Sequence, residues 1–120
     1  MLPEPPTTPR PRPGTAPVFR DTFALCTWLL DRLEDDDRPL ARSLCDNGLR
    51  LLDAISLAVR HREVDERLAE ADDRLVMLRV HLRLAEARAL LASSQAFFAL
   101  GEADRIGRQL GGWLRSLEPR

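Results

Sequence analysis

The sequence predicts an all-α protein, an antiparallel up-down four-helix bundle, and three observations carry that prediction. Leucine, alanine, arginine and glutamate, all good helix formers, dominate the chain after residue 17. β-branched residues are sparse, and no alternation of apolar and polar positions lasts long enough to define a strand. Apolar residues instead recur at threes and fours through four segments separated by short polar breaks. A length of 120 residues suits one domain of ordinary size.

Residues 1–17 stand apart from this pattern. Pro3, Pro5, Pro6, Pro9, Pro11, Pro13 and Pro17 alternate with Thr7, Thr8, Arg10, Arg12 and Gly14. Proline fixes φ and removes a donor, so the stretch is expected to be a disordered or polyproline II tail, with the bundle occupying residues 18–120. Helix one is expected from Val18 or Asp21 to Glu34, with Phe19, Phe23, Cys26, Leu30 and Leu33 on its apolar face. Asp35, Asp36 and Asp37 break the chain and complement the positive end of the next helix, whose first turn suits Pro39.

Helix two is expected to reach Arg62, with Leu40, Leu44, Leu51, Ile55 and Ala58 as its main stripe and Leu49, Leu52 and Val59 widening it. Helix three has the clearest seam: Leu68, Ala71, Leu75, Leu78, Leu82, Ala85, Ala89 and Ala92 repeat in heptad steps. Val76, Met77, Val80, Leu84 and Leu91 give it a second apolar face, which predicts burial on two sides. Ser93 or Ser94 offers an N-cap to helix four, where Ala96, Ala99, Ala103, Ile106, Leu110, Trp113 and Leu117 again keep heptad spacing. Short connections between long helices favour antiparallel neighbours.

Composition narrows function by exclusion. Eighteen basic and 19 acidic residues give a net charge of −1, which excludes a simple polycation that coats nucleic acid. No apolar run approaches a membrane span, and two cysteines, Cys26 and Cys45, do not make a disulfide scaffold. A cytoplasmic location with reduced, buried thiols is the expectation. The chain contains no lysine, so a Walker A loop and every lysine-dependent reaction are excluded. His61 and His81 are the only histidines, and neither belongs to the Glu-x-x-His pairs of bundle di-iron sites. No catalytic residue, metal site or cofactor is predicted, and an enzyme is not expected.

Charge position is more informative than the total. Acidic blocks at residues 18–37 and 63–73 offset arginine-bearing stretches at 38–62 and 74–88. Arg67, Arg74, His81 and Arg88, seven apart, mark one edge of helix three, Arg79 and Arg83 a second pair, and Arg60 and Arg62 the end of helix two. The guanidinium fork suits bidentate phosphate contacts, which makes these residues nucleic-acid-binding candidates; pairing with neighbouring acids is the alternative. Gly107, Gly111 and Gly112 interrupt helix four despite a cost of about 1 kcal/mol each relative to alanine. Gly107 and Gly111, four apart, form a flat strip beside Trp113 where another helix can approach, within the chain or between chains.

The segment Ile106-Gly107-Arg108-Gln109-Leu110-Gly111-Gly112-Trp113-Leu114 resembles the C-terminal signature of Avd, the accessory variability determinant family of diversity-generating retroelements. Phe23 to Leu33 with Trp28 is similar to that family's first helix, and Leu49 to Ala58 to its second. Leu78 to Ala85 is similar to its third-helix core, where Arg83 matches the arginine before Leu-Ala. The resemblance covers roughly residues 18–117. It implies a four-helix bundle related to the ribosomal-RNA intervening-sequence proteins, assembled as a homopentamer. It also implies binding to the element's reverse transcriptase and to template-repeat RNA or DNA in support of mutagenic cDNA synthesis. A bundle of the intervening-sequence type, acting as an oligomeric interaction module without a polymerase, is the alternative.

Overall fold

The computed structural model describes residues 15–118, which form four α-helices: α1 (Thr15–Leu33), α2 (Pro39–Val59), α3 (Val64–Ala87) and α4 (Ser93–Ser116). The residues of the proline-rich stretch before Thr15 lie outside the described residues, but Thr15 to Pro17 belong to α1. Pro17 is tolerated there because the first turn of a helix has no partner for its amide hydrogens.

Each helix packs against its neighbours in chain order, and α4 returns to α1. The pairings run antiparallel. Cys26 of α1 reaches Gly48 of α2, while Asn47 of α2 meets His81 of α3. Arg79 of α3 meets Ala103 and Asp104 of α4, while Gln109 of α4 reaches Asp21 near the start of α1. The fold is therefore the all-α four-helix bundle that the periodicity predicts.

The core is built from the seams of α3 and α4. Leu68, Ala71, Leu75, Leu78, Leu82 and Ala85 are buried, as are Ala96, Ala99, Ala103, Ile106, Leu110 and Trp113. Leu44, Leu51, Ile55 and Ala58 of α2 join them as expected, with Ala41 and Ala54. Leu40 and Val59 pack at the margin, and Leu49 is exposed. Each leucine so buried contributes about 1.5–3 kcal/mol of transfer free energy.

The inner face of α1 differs from expectation. Val18, Thr22, Leu25, Leu29 and Leu33 face the core with Cys26, whereas Phe19 and Phe23 are exposed and stack against each other at 6.1 Å. The polar member hid this stripe. Thr22 is fully buried because its hydroxyl donates to the Val18 carbonyl at 2.7 Å, one turn back. Asp21 is buried because the Gln109 amide donates to its carboxylate at 2.8 Å.

The helix ends also correct the sequence reading. α2 stops at Val59 and α3 at Ala87, so Arg60 to Arg62, Ala89 and Ala92 are not helical. His61 and Ala89 occupy the left-handed region at φ 59°. At both sites paired bonds close the end, His61 N–H to Ala58 and Arg62 N–H to Leu57, then Ala89 N–H to Glu86 and Leu90 N–H to Ala85. That is the Schellman arrangement. Glycine usually marks it, and its absence here is why the sequence ran both helices long. At α4, Ala92 takes the N-cap position and no serine caps it; the Gln95 side chain instead accepts from the Ala92 N–H at 2.9 Å.

Asp36 shapes the α1–α2 turn by accepting from the backbone and guanidinium of Arg38 at 2.9 and 2.7 Å. Those bonds hold its carboxyl at about 2, well below the usual range. Both cysteines are free thiols. Burial, with Asp53 and Cys45 nearby, pushes Cys26 up to about 12, and its thiol donates to the Gly48 carbonyl at 2.9 Å. The folded value lies above the ordinary 9.0, so the thiol's contribution to stability is complete below about 9 and is lost as pH rises toward about 12. At pH 8 the folded protein should resist iodoacetamide at Cys26, with labelling appearing on unfolding in urea. Rapid labelling of Cys26 in the folded state would contradict this packing.

Candidate functional site

The structure divides the candidate arginines into two groups. Arg67, Arg74, Arg79 and His81 are engaged between or along helices. Arg67 pairs with Glu63 at 3.2 Å and Glu70 at 3.6 Å, on its own helix face. Arg74 donates to the Asn47 amide oxygen at 3.4 Å, and the Asn47 amide nitrogen lies 3.0 Å from His81 Nδ1. Asn47 is buried, so this pair of contacts satisfies a polar group that would otherwise cost about 1–3 kcal/mol. Arg79 bridges to α4, 3.1 Å from Asp104 and 3.5 Å from the Ala103 carbonyl. Of the edge read from seven-residue spacing, Arg74 and His81 thus meet Asn47 of α2 and hold the two helices together.

Arg60, Arg62, Arg83 and Arg88 form the second group. All four are exposed, and among the described residues none has a carboxylate within ion-pair distance. Arg60 and Arg62 follow α2, at the carbonyl end of its dipole, which favours positive charge. Arg88 borders a hollow of about 450 Å³ floored by Pro39, Leu40, Leu84 and Leu90.

The glycine segment also divides. A methyl group on Gly107 would stand 2.6 Å from Arg79 Nη2 and 3.3 Å from Leu75 Cδ2, so Gly107 seats the α3 side chains that hold α4. Gly111 and Gly112 meet only Arg115 of their own helix, at 3.5 and 3.8 Å. The expected flat strip therefore serves α3–α4 packing at Gly107, and among the described residues no other helix comes within 4 Å of a methyl group placed on Gly111. Trp113 is a core residue, and among the described residues its Nε1 has no acceptor. Arg108 is exposed and lines a groove of about 310 Å³ with Asp72, Val76, Arg79, Asp104 and Gly107.

The largest departure lies on the surface. Val76, Met77, Val80 and Leu84 are 50, 42, 53 and 47% exposed, so the second apolar face of α3 is uncovered instead of buried on two sides. Leu91 is buried, but in the α3–α4 connection. At the α1–α4 edge Trp28 packs on Phe98 at 5.4 Å and Arg32 lies over the Trp28 ring at 4.2 Å, while Phe97, next to Phe98 in sequence, is 82% exposed. The sequence reading passed over Phe97 and Phe98. The available signal was their adjacency, since successive helical residues lie about 100° apart and only one can face the core. No helix is long and apolar enough to cross a membrane among the described residues.

Comparisons with protein-family models, characterised proteins and solved structures give no match to this chain.

Proposed function

We propose that this protein is a non-catalytic scaffold, the accessory protein of a diversity-generating retroelement, which binds the element's reverse transcriptase and template-repeat RNA. The observation that supports a binding role is the uncovered apolar surface outside the core. A chain of this size rarely leaves side chains such as Phe97 and the α3 stripe in water unless a partner covers them. The retroelement assignment rests on the likeness of Ile106 to Leu114 to the accessory family's signature. In this reading the exposed Phe97 and Phe98, the latter packed on Trp28, meet the polymerase, because aromatic anchors supply contact area at little entropic cost. Arg60 and Arg62, two residues apart and without carboxylate partners among the described residues, grip phosphate.

The uncovered α3 stripe also favours a second reading, an oligomeric interaction module of the intervening-sequence type with no polymerase partner. RNA binding separates the arginines by role. Arg60→Glu with Arg62→Glu should weaken affinity and reduce the slope of log K against log salt by about one to two, whereas Arg74→Gln should leave the slope unchanged. Equal slopes for the wild type and the Arg60/Arg62 variant would remove RNA from the proposal.

A further inference from the structure

We propose that the hollow between the start of α2 and the end of α3 binds the carboxy-terminal residue of a partner peptide, an apolar side chain bearing a free carboxylate. The inference rests on the hollow and does not depend on the polymerase reading. Pro39, Leu40, Leu84 and Leu90 form its floor, Arg38 and Arg88 form its edge, and it encloses about 450 Å³. That volume lies within the roughly 300–1,000 Å³ of ligand-binding clefts. Leu84 is 47% exposed, while Leu40 and Leu90 are partly buried against the core. Apolar side chains from α2, α3 and the α3–α4 connection thus meet in one concave surface.

Charge selects a carboxylate. Arg38 is already engaged, donating to Asp36 at 2.7 Å, and Arg42 lies 3.9 Å from Asp37. Arg88 is exposed and has no carboxylate within ion-pair distance among the described residues. Neither Asp35 nor Glu86, the exposed acids flanking these segments in sequence, lines the hollow. The planar guanidinium of Arg88 can meet both oxygens of a carboxylate whose apolar part covers the leucines.

The backbone favours a peptide over an alkyl chain. Helix starts leave amide hydrogens, and helix ends leave carbonyls, without partners inside the helix. α2 begins and α3 ends at the hollow, and no side chain caps the start of α2. A peptide terminus carries its own amide and carbonyl groups to pair with these, as in other sites that capture a chain end. A fatty acid would bring only its head group.

The test uses the full chain, labelled with nitrogen-15, titrated in amide-correlation NMR with acetyl-Gly-Ser-Gly-Leu. The expected result is saturable shifts centred on Leu40, Leu84, Arg88 and Leu90. The same peptide with a carboxamide end should bind about fivefold more weakly, as loss of one partly exposed ion pair implies. Arg88→Gln should remove that difference and leave the carboxamide affinity unchanged. Leu84→Asn should abolish binding of both peptides while circular dichroism shows the variant still helical. Octanoate, the alkyl counterpart, should bind more weakly than the free-carboxylate peptide. No binding of that peptide, shifts centred elsewhere, equal affinity for acid and carboxamide, indifference to Arg88→Gln or Leu84→Asn, or tighter binding of octanoate would each overturn the proposal.

Discussion

Leu82→Ala is expected to destabilise the protein by about 2–5 kcal/mol, whereas Val80→Ala, two residues away on the same helix, should change monomer stability by less than about 0.5 kcal/mol. Leu82 is fully buried in the α3 seam, and truncation removes its transfer free energy and leaves a cavity that close-packed neighbours fill only in part. Val80 is 53% exposed on the opposite face. The comparison reads the two apolar faces of α3 separately, by urea denaturation at concentrations low enough to keep the chain monomeric. Similar losses at both positions would mean that α3 is covered on both sides within one chain.

Gly48→Val should be the second large effect, a loss of about 1–3 kcal/mol from overpacking between α1 and α2. Gly48 is buried, and a methyl group there would already stand 3.1 Å from Leu29 Cδ1 and 3.6 Å from Cys26 Sγ. Branching at that carbon pushes the helices apart and stretches the bond from the Cys26 thiol to the Gly48 carbonyl. Gly101→Ala is the control: among the described residues nothing lies within 4 Å of its added methyl, so helix propensity alone should stabilise the protein by about 0.5–1 kcal/mol. If both glycines respond alike in thermal unfolding, the close approach of α1 to α2 at Gly48 is misplaced.

The four helices were legible in the sequence because the seams of α3 and α4 consist of uninterrupted leucine and alanine steps. α1 was harder to read. Two stripes overlap along it, and its buried one contains Thr22, whose hydroxyl is satisfied by its own helix. Helix ends failed where His61 and Ala89 take a conformation that glycine normally signals. Arginine positions were legible, but their roles were not. Arg74 and Arg79 find partners 27 and 24 residues away, and sequence spacing along one helix carries no information about such neighbours. Gly48 carried a signal, a glycine inside a periodic helix, of the kind that drew attention to Gly107 and Gly111. Of the glycines in the C-terminal segment, only Gly107 has a side chain from another helix close to it among the described residues.

These outcomes separate two properties that the sequence had merged. The buried face of each helix specifies the bundle, and the apolar side chains left outside it, on α3 and at Phe97 and Phe98, are the ones to which the proposal assigns association. The retroelement proposal assigns the second property to a polymerase and its template, and it extends beyond the fold to a named partner.

Co-expression with a reverse transcriptase of the proposed retroelement tests that assignment most directly. The account predicts a stable complex that elutes together at low salt and loses association on Phe97→Asp, a substitution at an exposed position that spares the fold. Separate elution of the two proteins at low salt would contradict the account.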